Sequence, residues 1–427
     1  MDRVIGAARF GWIARSARVV LFARALRAFA TGMLSVVIAL YLGRRGLSLA
    51  QIGLFLGAGV MGGAGFAALL NAGVAKWGRR ATLVVVTLLS AVAGAGLLFD
   101  GGVVWLLGCA FVGALAGVGG AGGAGPDQPL EQAILADHCE PLRQPALFAV
   151  YRVIATLATA LGGLAAGLPA WFGVADDGLA WLVGAFALCL VGVAISYVAL
   201  PESVEMERTG PRPANLLRTP SRSLIARLNG LFAFDQLGSS LTTVSLMTYW
   251  FHTRFGVELG GLATLTFATH VLAAVSMWLS VRLSSRIGLV RTMVFTHLPA
   301  SLLLVALGFV QSTEIAIAIW LTRGLLSQMD IPARDALIMA IVAPSERIAM
   351  ASTHLIVRNT VGTAGPALST ALWQSFSATA PIALGGLLKT GYDVALYVLY
   401  RDLDRHPPTG PGAGGANATA TPSAGQG

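Results

Sequence analysis

Charge is what this 427-residue chain has least of: Asp, Glu, Lys and Arg together make up 11% of it. A soluble globular chain carries about 25%, so these residues cannot coat a solvated surface, and a water-soluble multidomain protein of this length is excluded. Cysteine is nearly absent. Cys109, Cys139 and Cys189 are scattered, which excludes a disulfide framework and a cysteine-based metal site. Signatures of enzymes are missing as well. There is no H-E-x-x-H, no P-loop and no G-x-G-x-x-G with an acidic residue at nucleotide-fold spacing. The phrase Asp137-His138-Cys139-Glu140 holds metal-ligand types, but four consecutive residues make poor ligand geometry. Neither an enzyme nor a metal nor a cofactor is expected.

What is present is apolar. Hydrophobic residues make up 56% of the chain and its mean hydropathy is +0.74. The apolar runs fall at about 19–42, 51–72, 81–99, 104–136, 146–170, 179–200, 225–250, 259–281, 292–311, 315–342, 349–373 and 379–400. Each is long enough to cross a bilayer as a helix of about 20 residues. The reading is therefore an all-α membrane protein of twelve transmembrane helices. The fourth and tenth runs are overlong and contain Pro129 and Pro332, so bent helices are expected there.

The net charge of +9 is a topology signal, with no nucleic-acid partner implied. Basic residues outside the spans, among them Arg15, Arg18, Lys76, Arg79, Arg80, Arg143, Arg208, Arg286 and Arg347, crowd one side; only Arg44, Arg45 and Arg254 fall on the other. The positive-inside rule then puts both termini in the cytoplasm of a bacterial-type inner membrane. Residues 1–17 form a basic segment that could lie along the interface. Residues 201–222, rich in Pro, Glu and Arg, link a six-helix bundle at 18–200 to a second at 223–400. The tail at 401–427 lacks apolar content and is expected to be disordered.

The two bundles are related in sequence. At a constant offset of 203 residues Asp127 falls on Asp330, Pro129 on Pro332, Glu131 on Arg334 and Gly162 on Gly365. Asp and Pro are scarce here, so their coincidence carries weight where matches of Gly or Ala would not. Parallel repeats of this kind are a transporter architecture.

Two loops carry a family resemblance. Asn71-Ala-Gly-Val-Ala75-Lys76-Trp77-Gly78-Arg79-Arg80 and Val281-Arg-Leu-Ser-Ser285-Arg286-Ile287-Gly288-Leu-Val-Arg291 each resemble the major facilitator superfamily motif between helices two and three. The basic residues and the glycine are kept. The family's aspartate is Ala75 in one copy and Ser285 in the other, which removes the usual acidic member of the cytoplasmic latch. Ala133 to Arg143 resembles the family's fourth-helix exit. Gly163-x-x-x-Gly167-x-Pro169 is similar to the antiporter motif of helix five, with its proline displaced by one position. The resemblance covers residues 18–400 and implies two pseudo-symmetric six-helix bundles. It also implies a cytoplasmic gate containing Lys76, Gly78, Arg79, Arg80, Arg286, Gly288 and Arg291; Tyr151 with Arg152, and Arg358 with Asn359, fall in the first turns of helices five and eleven and could belong to that gate too.

Charges inside spans are costly, and they usually face a cavity or a partner. Asp127 and Glu131 are four apart and share a helix face, after a glycine-rich run at 117–125. Desolvation disfavours the charged form of a carboxylate so placed, which suits reversible protonation. Glu131, with Asp127 and Asp235, is therefore a proton-coupling candidate. The plainer alternative is an ion pair with an arginine of helix one or five. Arg27, Arg323, Gln236, Asp330 and Arg334 are substrate-cavity candidates, and Asp330 and Arg334 could pair with each other. Lys389 and Asp393, one turn apart, read as an intrahelical pair. Arg24, Arg227 and Asp335 read as interfacial, His270 and His297 as solitary, and Tyr249-Trp250-Phe251 as an interface belt.

The function these features suggest is secondary active transport of a small organic solute across the membrane by alternating access. Protons are the expected coupling ion. Export is favoured over import because nothing in the chain suggests a dedicated nutrient site, and a monomer is expected. A transporter of carboxylate- or phosphate-bearing anions is the alternative, as is a non-transporting sensor or assembly factor on the same fold.

Overall fold

The computed structural model describes residues 13–115, 127–140, 143–174, 178–205, 221–341 and 346–401. The glycine-rich run, most of the basic N-terminal segment, most of the linker and the tail lie outside the described residues. Among the described residues the regular structure is entirely helical.

The first half comprises α1 (Arg15–Arg44), α2 (Leu49–Gly96), α3 (Gly102–Val112), α4 (Gln128–Asp137), α5 (Gln144–Ala165), α6 (Leu168–Trp171) and α7 (Gly178–Val198). The second comprises α8 (Arg222–Leu241), α9 (Val244–Phe255), α10 (Leu259–Ile287), α11 (Leu289–Leu307), α12 (Thr313–Leu326), α13 (Asp330–Ile341), α14 (Arg347–Ser375) and α15 (Ala380–Tyr400). Seven stretches among the described residues are long and apolar enough to cross a membrane whole. Most of the other predicted spans are made of pieces. A capping box of Ser48 with Gln51 starts α2, and Gly78 at φ 84° breaks it into two successive spans. Gly288 at φ 98° separates α10 from α11 in the same way. Both are the glycine of the loop motif, held in a conformation that other residues adopt only under strain.

The expected bends at Pro129 and Pro332 are instead breaks. Each proline lies in the first turn of a new helix, α4 or α13. A missing N–H costs nothing there, because first-turn amides have no partner within the helix. Span seven is likewise divided, with Thr243 capping α9 through the Leu246 amide.

Packing repeats across the halves. In the first, α1 lies on α5 and α7; in the second, the α8–α9 span lies on α14 and α15. Gly162 presses on the Phe29 backbone of α1, and its repeat mate Gly365 presses on Ser240 of α8; a Cβ at either would sit within about 2 Å of these atoms. The halves meet through α2 against α14 and α10 against α5.

The apolar cores show how the two bundles are tilted. At the end away from the termini, one continuous core joins Leu34–Leu42 and Phe55 of the first half to Leu246, Phe251, Leu262, Trp320 and Ile382 of the second. There the Thr248 hydroxyl of α9 donates to the Val36 carbonyl of α1 at 3.2 Å. At the terminal end each half keeps a separate core, one around Ile134, Leu147 and Tyr197, the other around Leu228, Met293 and Leu337. The bundles are thus closed together at one end and packed independently at the other. Trp250 and Phe251, expected at an interface, are both 1% exposed and belong to the joined core.

Candidate functional site

Two buried charge networks lie on the inner helices, one in each half, and they are built with opposite polarity. In the first half the cations are on α1 and the acids are at the start of α4. Arg27 Nε lies 2.7 Å from Asp127 Oδ2 but off the N–H axis, so this contact is an ion pair rather than a straight hydrogen bond. Its Nη2 donates to Thr87 Oγ1 at 2.7 Å. The Tyr197 hydroxyl of α7 lies 2.7 Å from Asp127 Oδ2 and 2.6 Å from Glu131 Oε1. The Tyr151 hydroxyl of α5 reaches Glu131 Oε2 at 2.5 Å. Arg24 stacks over the Tyr151 ring with its Cζ 5.0 Å from the centroid. Arg24, Arg27, Asp127 and Glu131 are all buried, so Arg24 is not interfacial and Arg27 does not face an open cavity. Tyr151, grouped with the gate in sequence, is instead a partner of Glu131.

In the second half the acid is on the first helix. Asp235 of α8 receives Lys389 Nζ on Oδ1 and Arg334 Nη2 on Oδ2, both at 2.7 Å. Arg334 also pairs with Asp330, as their spacing suggests. Lys389 therefore reaches across to α8 rather than pairing along its own helix. Asp393 turns to His297, whose Nδ1 lies 2.8 Å from Oδ1, and accepts from Ser301 Oγ at 3.0 Å. The Nε2 of His297 faces Lys389 Nζ at 3.5 Å. His297 is thus a member of the network and not solitary. The periodicity of a single helix could not reveal this, because its partners come from α8 and α15.

Arg334 is cradled by the rings of Phe232 and Tyr392, 5.2 and 5.7 Å from its Cζ. Gln236, next to Asp235, approaches Gly362 of α14 near Val60 of α2, so it stands where the two halves meet. Arg323 of α12 lies over Trp320, 5.0 Å from the centroid, and has Asp235 as its charged neighbour. Arg358 of α14 is exposed to solvent, yet its charged neighbours are Arg334, Asp235, Asp335 and Arg152. Those residues come from both halves.

At the terminal end, Arg152 and Asp335 form a cross-half ion pair at 3.3 Å with both side chains more than half exposed. Such a solvated pair contributes about 0–1 kcal/mol. The motif loop of the first half has its own acids despite Ala75. Glu205 accepts from the amides of Arg79 and Arg80 at 2.8 and 2.9 Å, and Asp137 pairs with the Arg79 side chain at 2.5 Å. Lys76 lies over the Trp77 ring. In the second loop Arg286 is exposed and Gly288 takes the same left-handed turn as Gly78.

Two parallel six-helix bundles, joined at one end, parted at the other and charged between, define a membrane transporter fold. The chain belongs to the Major Facilitator Superfamily, whose family model matches residues 20–327. Solved structures with the same fold include the nucleoside transporter NupG, at TM-score 0.69 and 13% identity over 91% of this chain and 99% of that one. A bacterial homolog of the human lysosomal transporter Spinster, inward-facing and unoccupied, aligns at TM-score 0.69 and 16% identity, covering 95% of this chain and 100% of that one. Among curated proteins, the uncharacterized membrane protein YJR124C of Saccharomyces cerevisiae is 23% identical over 358 residues, 75% of this chain and 80% of that protein.

Proposed function

We propose that the protein is a proton-coupled transporter of a small organic solute, and that Glu131 is the group that carries the proton. One observation supports this above the rest: a single tyrosine hydroxyl, that of Tyr197, sits between an oxygen of Asp127 and an oxygen of Glu131 at 2.7 and 2.6 Å. A hydroxyl has one proton to donate. Both contacts are hydrogen bonds only when one carboxyl also holds a proton and donates it to the tyrosine oxygen. Asp127 is ion-paired with the Arg27 guanidinium at 2.7 Å, so the proton is assigned to Glu131. Tyr151 then donates to the other Glu131 oxygen. Loss of the proton would put two like charges on either side of one hydroxyl in a sealed site, a costly arrangement. The second state is therefore reached by repacking α4 against α1 and α7, and this ties proton release to movement of helices.

Sidedness and direction belong to the same proposal. The basic terminal end is cytoplasmic, the parted end opens inward, and Arg152–Asp335 with the two motif loops closes it in the alternate state. The bundles at 18–200 and 223–400 rock as the moving units. Transport is outward, on the ground that no nutrient site is evident in the sequence. The test is solute flux in proteoliposomes under an imposed pH gradient. Glu131→Gln should abolish gradient-driven accumulation while leaving exchange at equal pH intact. Unchanged gradient dependence in Glu131→Gln would overturn the assignment.

A further inference from the structure

In the second bundle two cations, Arg323 and Arg358, reach accessible space without an acid of their own. Arg323, Arg334, Arg358 and Lys389 stand against Asp235, Asp330, Asp335 and Asp393, but Asp393 is taken by His297 and Asp335 by Arg152 of the other half. Arg334 and Lys389 occupy the two oxygens of Asp235. Neither Arg323 nor Arg358 has a carboxylate at ion-pair distance among the described residues, although each is a charged neighbour of Asp235.

The layering has a sign. The carboxylates lie deepest, with Asp235, Asp330 and Asp393 at 4%, 2% and 0% exposure. Arg323 is half-buried and Arg358 exposed. Guanidiniums therefore front the accessible side and the acids that support them stand behind. The same region holds polar atoms left without partners. The Arg334 Nε and the Tyr392 hydroxyl are sealed without a hydrogen-bond partner among the described residues, and so is Nδ1 of His354, which has Arg334 and Arg358 as charged neighbours. The first half also has an arginine Nε without a hydrogen bond, that of Arg27, but there Arg24 and Arg27 are both buried. A guanidinium kept unpaired inside a bundle is expensive, and such groups mark substrate paths. Its planar fork suits carboxylate and phosphate oxygens.

We propose that the transported solute carries an anionic head group, a carboxylate or a phosphate, that docks on Arg358 and Arg323. This rests on the transporter reading above and narrows its substrate class, but it needs no proton coupling. The test holds one ring constant and varies its head: benzoate and phenyl phosphate against benzamide and benzylammonium. Each is added to the purified protein at fixed neutral pH with no gradient, and the thermal unfolding midpoint is followed against concentration.

Benzoate, phenyl phosphate or both should raise the midpoint, while benzamide and benzylammonium should not. The pair of anions also separates a carboxylate from a phosphate preference. Loss of a charged hydrogen bond is worth about 1.5–3 kcal/mol, so Arg358→Gln and Arg323→Gln should each weaken the anion effect by roughly 10- to 100-fold. Arg358→Lys, which keeps the charge but not the fork, should fall between, and it guards against a Gln variant that fails to fold. Stabilisation by benzamide or benzylammonium, stabilisation by none of the four, or an anion effect unchanged in both Gln variants overturns the proposal. Binding that passes this test while gradient-driven flux fails would overturn the proton reading alone.

Discussion

At the scale of residues, the chemistry of this protein depends on which polar side chain meets which across helices. Arg27 and Asp127 are 2% and 0% exposed, so each depends on the other to be tolerated in the bundle. Removing one charge from a buried pair costs about 3–5 kcal/mol, because the partner is left uncompensated, whereas removing both is far cheaper. Arg27→Gln should therefore lower the unfolding midpoint strongly, and adding Asp127→Asn should restore most of it; equal, additive losses would show that the pair is not coupled. The presence of these charges was legible in sequence, since Arg27, Asp127, Glu131, Asp235 and Arg334 stand out in apolar runs. Their partners were only partly legible. Asp330 with Arg334 is an i,i+4 pair and could be read along one helix. Tyr151 and Tyr197, the two hydroxyls on Glu131, are ordinary apolar-face residues by spacing and become polar partners only when α4, α5 and α7 pack together. The pairing of His297 with Asp393 was hidden for the same reason, and Lys389 with Asp393 was misread because its nearer partner in space is 154 positions away in sequence.

At the scale of elements, the helix ends carry the information. The loop motif was recognisable by its glycine and basic residues, and both copies prove to be left-handed breaks between successive spans. What the sequence concealed was the source of the acid. With alanine in place of the family's aspartate, Glu205 comes from beyond α7 to accept from two amides that begin the helix after Gly78. A Cβ on Gly78 would meet that carboxylate at 2.3 Å in addition to the strain of φ 84°. Gly78→Ala should cost about 1–2 kcal/mol of stability. Its cost in a Glu205→Ala background should be smaller, since the clash is gone. Thermal unfolding of the four proteins measures this directly, and equal costs in both backgrounds would remove Glu205 from the account. The prolines teach a related lesson. Pro129 and Pro332 do interrupt their spans, but as first-turn residues of new helices rather than as kinks.

At the scale of the whole molecule, an all-helical membrane fold and an internal repeat were readable because lipid demands long apolar runs and because Asp and Pro are rare enough to align. The state of the carrier was not readable. It follows from one continuous apolar core at one end and two separate cores at the other, which no local pattern encodes. Spin labels at Lys76 and Arg286 report the parted end, and labels at Phe99 and Phe309, both 67% exposed, report the joined end. With the native cysteines replaced by serine, a change of pH that moves one pair closer should move the other apart. Distances that rise and fall together would contradict rocking of two rigid bundles. The transport cycle proposed from these states rests in turn on the proposal that Glu131 holds a proton between Tyr151 and Tyr197. The infrared spectrum of the protein in bilayers at neutral pH tests that claim most directly. It should contain the carbonyl band of a protonated, hydrogen-bonded carboxylic acid that disappears in Glu131→Gln and persists in Asp127→Asn; a band unaffected by Glu131→Gln, or none in the native protein, would contradict it.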